Sequence, residues 1–207
     1  MGVNRVRRIQ IQTPNRPAVT ISILAGGRSS RMGRDKARLR FARTSLLARV
    51  RSIARKTGWL VRVIRRDAVA RCGPLGGIYT ALTKSHAEAH LFLACDMPFV
   101  SSELLTDLEG RLGPKECAVF TALDGAVGFP FCIRAMALPV IEEQIREKRF
   151  SLQSLARVLR ARLLRIPKRR AIELFNVNTP EDWLDARHRL AVRPGYQPNR
   201  LNARRPH

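Results

Sequence analysis

From residue 24 to residue 36 the chain reads Leu24-Ala25-Gly26-Gly27-Arg28-Ser29-Ser30-Arg31-Met32-Gly33-Arg34-Asp35-Lys36. Adjacent glycines reach backbone conformations that a Cβ resists. The amides of Gly26 and Gly27 can therefore turn together toward an anion and form a nest. Arg28, Arg31, Arg34 and Lys36 crowd the same short stretch, and their mutual repulsion calls for a compensating anion. A triphosphate is such an anion. Gly33 allows a further turn that brings Lys36 back toward the phosphates. The string is neither a G-x-x-x-x-G-K-[ST] loop nor G-x-G-x-x-G.

Two other places carry residue types suited to chemistry. Leu91 to Cys95 is an apolar run of strand length that stops at Asp96, followed by Met97-Pro98. A carboxylate just after a buried strand stands at the C-terminal edge of a sheet, where open α/β sheets bind ligands. Asn176 and Asn178 precede Thr179-Pro180-Glu181-Asp182. The asparagine amides both donate and accept, which suits a heterocycle or phosphate edge.

Weaker candidates fall away. His86 and His90 would share a helix face, but the spacing is not H-E-x-x-H and no third ligand is evident. No Gly-x-Ser-x-Gly elbow exists. The cysteines at 72, 95, 117 and 132 form no C-x-x-C pair, and their apolar flanks predict reduced, buried thiols.

These residues need elements to hold them. Residues 19–24 alternate and are β-branched, which predicts a strand entering the glycine loop. Thr44 or Ser45 caps a helix to about Lys56, with Leu46, Leu47, Val50, Ile53 and Ala54 on one face and Gly58 as the stop. Residues 60–64 read as a second strand. Gly73-Pro74-Leu75-Gly76-Gly77 is a turn into a helix reaching about His86. A strand covers 91–95, and Ser101 or Ser102 starts a helix to about Leu112. Residues 117–123 form a strand, Asp124-Gly125 a tight turn, and 127–133 a hairpin partner weakened by Gly128 and Pro130. Helices follow at 136–148 and 151–161, then a strand near 163–166. Thr179 as N-cap with Pro180 at the first helical position begins a last helix to about Ala191. Alternating strands and helices predict a three-layer α/β fold with a mainly parallel sheet.

Composition bounds the rest. The chain has 207 residues with 45% apolar content, enough for one full domain and ordinary for a globular protein. The reading divides it into a basic N-terminal extension (1–18), a domain (19–192) and a basic tail (193–207) whose proline and polar content predicts disorder. No apolar run approaches the ~18 residues of a membrane helix, and no h-region follows the N-terminal arginines. A cytoplasmic protein with no membrane partner is the expectation. Lys and Arg number 39 against 16 Asp and Glu, a net charge of +23. Such a field attracts polyanions without naming one. The cations are scattered and aromatics are 6%, so nucleic acid is expected only as a non-specific electrostatic ligand.

The string L-A-G-G-x-S-x-R-M-G-x-D-K resembles the signature of the molybdenum cofactor guanylyltransferase family, within the Rossmann-like nucleotidyltransferases. Related cytidylyl- and uridylyl-transferases more often carry alanine where Gly26 stands. The resemblance spans roughly residues 19–190 and extends to Gly73-Pro74-Leu75-Gly76-Gly77-Ile78, Cys95-Asp96-Met97-Pro98-Phe99 and Phe175 to Asp182. It implies that Leu24, Ala25, Gly26, Gly27, Lys36, Asp67 and Asp96 bind the nucleotide. Asp67, the acidic residue upstream of the G-P-L turn, would accept the paired N–H groups of guanine. Asp96 would hold Mg²⁺, and Asn176 and Asn178 would line the pterin site. Arg31, Lys36 and Asp96 would be the catalytic groups. GTP and molybdopterin are the implied substrates, with room for contact with a molybdoenzyme or a cofactor chaperone. The chain departs from the family between Gly58 and Gly73, where the segment is short and holds no asparagine to help read the base. Alternatives are a cytidylyltransferase for the same pterin, a sugar-phosphate nucleotidyltransferase, or a nucleotide- or nucleic-acid-binding module with weakened catalysis.

Overall fold

The computed structural model describes residues 18–26, 40–41 and 44–192. In chain order the strands are β1 (Val19–Leu24), β2 (Arg40–Phe41), β3 (Thr44–Ser45), β4 (Leu60–Ile64), β5 (Ala89–Ala94), β6 (Ala118–Leu123), β7 (Ala126–Arg134) and β8 (Arg162–Arg165). The helices are α1 (Leu46–Arg55), α2 (Pro74–Thr83), α3 (Ser102–Gly110), α4 (Leu138–Arg146), α5 (Leu152–Val158) and α6 (Pro180–Val192). Two 3₁₀ turns, Ala135–Ala137 and Lys168–Leu174, complete the described elements.

Six strands form one sheet in the order β4-β1-β5-β7-β6-β8. β4, β1 and β5 pair in parallel, and so do β6 and β8; β7 runs against both its neighbours. Five strands therefore point one way, in keeping with a mainly parallel sheet. From β1 the chain crosses to β4 on one side and then returns past β1 to β5 on the other. That reversal makes the C-terminal ends of β1 and β5 a switch point, the crevice where open α/β sheets take ligands.

Alternation along the strands feeds two cores. Ile21, Ile23, Leu91 and Leu93 pack with α1 and α3 on one face, while Phe92, Phe120 and Phe131 pack with α2, α4 and α5 on the other. The sheet is thus covered on both sides, which gives the three layers expected.

Most boundaries shift by a few residues. Ser45, not Thr44, caps α1 by accepting from the Ala48 amide, and Ser101, not Ser102, caps α3 through the Leu104 amide. α2 ends at Thr83, short of His86. The larger finding is β7. Gly128 and Pro130 argue against a full strand, yet β7 runs nine residues through the middle of the sheet. Its register against β6 jumps between Phe120↔Phe131 and Thr121↔Gly128, leaving Phe129 and Pro130 unmatched. The β5 ladder also stops at Phe92↔Phe131. Proline thus falls where no ladder bond is required of it. Asp124 and Gly125 both have positive φ, 49° and 83°, as a two-residue hairpin turn demands.

His90 lies in β5 and not on a helix with His86. Its ring is fully buried, and its Nδ1 is 3.1 Å from the Ser22 hydroxyl on β1. No cysteine is in a disulfide; Cys72 and Cys132 are buried, whereas Cys95 and Cys117 are only half-buried. Among the described residues no helix is long and apolar enough to cross a membrane. Of the terminal segments assigned from composition, all of 193–207 and all but residue 18 of 1–18 lie outside the described residues.

Candidate active site

At the C-terminal edge of the sheet three strand ends are tied to one another. The Ala25 amide donates to the Ile64 carbonyl at 2.8 Å, and the Cys95 amide donates to the Leu24 carbonyl at 3.1 Å. The first residues of the glycine loop are thereby fixed between the ends of β4 and β5. Leu24, Ala25 and Gly26 stand where the sequence puts the start of the phosphate loop. Gly27, Arg31 and Lys36 lie outside the described residues.

Asp67 is gathered into this corner by glycines. A methyl group on Gly26 would stand 3.3 Å from Asp67 Oδ1 and 3.1 Å from the Arg65 carbonyl oxygen. One on Gly76 would stand 3.1 Å from both Asp67 Cβ and Oδ2, and 2.6 Å from the Val69 carbonyl oxygen. One on Gly77 would come within 3.4 Å of Asp67 Oδ1 and 3.0 Å of a Leu24 methyl. Three glycines from two segments thus let backbone close around one carboxylate. Thr80 holds the segment from the helix side: its hydroxyl donates to the Gly76 carbonyl at 2.7 Å and accepts from the Ala68 amide at 2.7 Å. Partial burial raises the Asp67 carboxyl above its ordinary range, as removal from water does for any carboxylate. Asp67 is half-buried, so the carboxylate remains within reach of solvent.

Asp96 follows β5 after one residue, Cys95. Arg49 of α1 steadies the loop behind it by donating from Nε to the Pro98 carbonyl at 2.6 Å. Met97, Phe99 and Val100 are buried, so the loop after Asp96 is packed, and the Asp96 Oδ1 oxygen is buried with it. Among the described residues no group of three His, Cys, Asp or Glu side chains could cage a metal. A carboxylate at this edge has the donor chemistry of a hard cation site whose shell is completed by oxygens from outside the protein. It does not fit a closed zinc site.

The asparagine segment reaches Asp96 through the backbone. The Val177 amide, between Asn176 and Asn178, donates to the Asp96 carbonyl at 2.9 Å. Val177 itself is buried with Leu46, Phe99, Ala186 and Leu190 in a small third core. Upstream, Arg170 donates from Nε to Glu173 at 2.6 Å and from a terminal nitrogen to Asp107 at 3.0 Å, and Ser101 donates to Glu173 at 2.6 Å. Downstream, Asp182 accepts from the Asn178 and Thr179 amides at 2.8 Å each, while the Thr179 hydroxyl accepts from the Asp182 amide. This is a capping box. Asp182 therefore does more than complement the helix dipole, which is the role its position alone suggests. The Asn176 side-chain amide donates to the Leu174 carbonyl at 3.1 Å, and Asn178 is exposed.

Sequence reasoning missed the second role of Gly76 and Gly77, which it reads only as a turn. It also missed Thr80, whose signal is invisible without the fold. The structure brings together Leu24, Ala25, Gly26, Asp67, Asp96, Asn176 and Asn178 on one edge, contributed by four separate stretches of chain.

Comparison with known proteins gives the family. The family described as the MobA-like NTP transferase domain matches residues 21–166. A probable molybdenum cofactor guanylyltransferase from Pelotomaculum thermopropionicum is 33% identical over 195 residues, covering 80% of this chain and 90% of its own length. Among solved structures, molybdopterin-guanine dinucleotide biosynthesis protein A from Archaeoglobus fulgidus superposes with a TM-score of 0.63 at 21% identity, covering 83% of this chain and 98% of that one. A Mycobacterium tuberculosis protein solved in complex with manganese gives a TM-score of 0.59 at 18% identity, covering 84% and 99%. The fold and these matches agree: the chain belongs to the MobA-like NTP transferase family and is a nucleotidyltransferase.

Proposed function

We propose that the protein transfers GMP from GTP to the terminal phosphate of molybdopterin. A phosphate oxygen of molybdopterin forms a bond to the α-phosphorus of GTP. The bond from that phosphorus to the α,β-bridging oxygen breaks, and its electrons leave with pyrophosphate. The product is a guanine dinucleotide cofactor. The attacking phosphate is already ionised, so no side-chain base is needed. The protein's work is positioning and charge stabilisation.

The observation that carries this reading is the hydrogen bond from Val177 to Asp96. It joins the asparagine segment to the backbone of Asp96, on the edge where the glycine loop begins. Donor and acceptor phosphates can then meet at one point. Asp67, cradled by Gly26, Gly76 and Gly77, would accept the guanine N1–H and amino group. Leu24, Ala25, Gly26 and Gly27 would follow the phosphates with Arg31 and Lys36, which would stabilise the pentavalent centre and the departing pyrophosphate. Asn176 and Asn178 would bind the pterin. Asp96 would hold Mg²⁺, which when bound neutralises phosphate charge and orients the α-phosphate.

The test is pyrophosphate release from GTP, CTP, UTP and ATP with molybdopterin and Mg²⁺. GTP is expected to support turnover and to raise Tm in a thermal-shift panel, since ligand binding to the native state stabilises it. Turnover and stabilisation by CTP alone would replace guanylyl with cytidylyl transfer, the alternative raised by the short segment before Gly73. Retention on random duplex DNA with steep salt dependence, and no pyrophosphate from any nucleotide, would favour the binding-module reading.

A further inference from the structure

We infer that the outer edge of β8, with the basic surface beside it, docks an extended acidic polypeptide segment of a partner protein. Between Glu147 and Glu173 the chain has nine Lys and Arg residues and no Asp or Glu. Six of the nine, Arg157, Arg160, Arg162, Arg165, Lys168 and Arg169, are exposed along the end of α5, the strand β8 and the turn after it. Arg162 is paired with Glu116, and Arg170 with Asp107 and Glu173. Among the described residues no acid pairs with Arg157, Arg160, Arg165, Lys168 or Arg169.

Among the described residues β8 is the last strand of the sheet and pairs only with β6. The Ile166 amide donates inward to the Ala122 carbonyl at 2.8 Å. Backbone groups of a strand face alternate sides, so Leu163 and Arg165 turn their N–H and C=O outward. The side chains alternate too. Arg162 and Leu164 face the α3 layer, and Leu163 and Arg165 the α5 layer. Leu163 is 44% exposed, as is Val158 of α5 at 48%. The edge therefore combines an open hydrogen-bonding row, apolar contacts and positive charge, the components of strand addition.

Charge selects the occupant. A second copy would set one basic edge against another, the arrangement by which charged edges resist self-pairing. Residues 1–17 and 193–207 carry arginines and no Asp or Glu, so neither terminus complements the strip. A nucleic acid would not use the outward amides, and residues 157–170 contain no aromatic side chain on which a base could stack.

The experiment is fluorescence anisotropy with a labelled peptide of about eight residues alternating Glu and Val, at about 0.15 M salt. Binding is expected for the wild type. Leu163→Pro removes an outward N–H and should weaken binding about tenfold, whereas Leu163→Ser keeps that amide and should cost only about threefold. Arg157→Ser/Arg165→Ser should weaken it about tenfold, while Arg51→Ser/Arg55→Ser on α1, with the same net charge, should change it less than about twofold. Circular dichroism and pyrophosphate release, unchanged in all variants, would show that fold and site are intact. No peptide binding, equal loss in the α1 variant, equal loss in both Leu163 variants, or displacement by random duplex DNA with the Leu163 variants unaffected would each overturn the proposal.

Discussion

A methyl group at Gly76 would stand 2.6 Å from the Val69 carbonyl oxygen, and backbone cannot yield there as a side-chain tip can. Gly76→Ala should therefore cost roughly 1–3 kcal/mol in stability. It should also raise the KM for GTP more than it lowers kcat, because it displaces Asp67 and not the reacting phosphates. Denaturant melts and steady-state kinetics on one preparation check both parts; an unchanged KM would remove Asp67 from base recognition. Lys36→Ala should cost about 3–4 kcal/mol in the barrier, by analogy with loss of a preorganised oxyanion donor. Asp96→Asn should abolish Mg²⁺-dependent turnover while leaving the fold intact. Single-turnover rates with and without added Mg²⁺ measure both, and near-normal turnover in either variant would reassign that residue. Asp96 is readable in sequence because an apolar run stops on it. Asp67 is not: nothing local distinguishes it from a surface acid beside Arg65 and Arg66. Only the closure of Gly26, Gly76 and Gly77 around it does.

At the scale of elements, β1 and β5 carry a buried polar pair between them, Ser22 and His90. Burial first, and the Arg62 charge second, hold the His90 imidazole down at about 4, against an ordinary value of 6.5. Below 6.5 the unfolded chain takes up a proton that the folded one refuses. Stability from this group is therefore full above about pH 6.5 and is lost as pH falls toward 4. Between pH 7.5 and pH 4.5 the loss should be roughly 2–3 kcal/mol. Urea melts at the two pH values measure it, and a His90→Phe chain, which retains the stack on Phe92, should show a smaller difference. An equal loss in both chains would assign the acid sensitivity to other groups. The helix starts were legible because caps are local chemistry. β7 was harder, because a proline and a glycine speak against a strand unless the ladder happens to break beside them, which depends on β5 and β6.

On the scale of the whole molecule, the charge of +23 has a thermodynamic consequence. Like charges repel more in the compact state, and salt screens that repulsion. Going from about 0.05 M to about 0.5 M sodium chloride shortens the Debye length from roughly 14 Å to roughly 4 Å. Tm should rise over that range, and differential scanning calorimetry in a salt series shows it. A falling Tm would mean that ion pairs such as Arg170–Asp107, Arg162–Glu116 and Arg189–Asp185 outweigh the general repulsion.

The sequence by itself determined the order of the main-sheet strands and the α-helices, the glycine pair that follows β1, and the carboxylate that follows β5. Each rests on local information: side-chain periodicity, capping residues, glycine spacing, and an apolar run ended by a charge. Only the tertiary structure decided what meets what. The Val177 amide lies 81 positions beyond the Asp96 carbonyl it bonds, and the glycines around Asp67 come from two segments that no pattern links. Likewise, a scatter of arginines became a strip only when β8 took the edge of the sheet. Such contacts depend on which strand inserts beside which, and that is settled by burying both faces of the sheet at once.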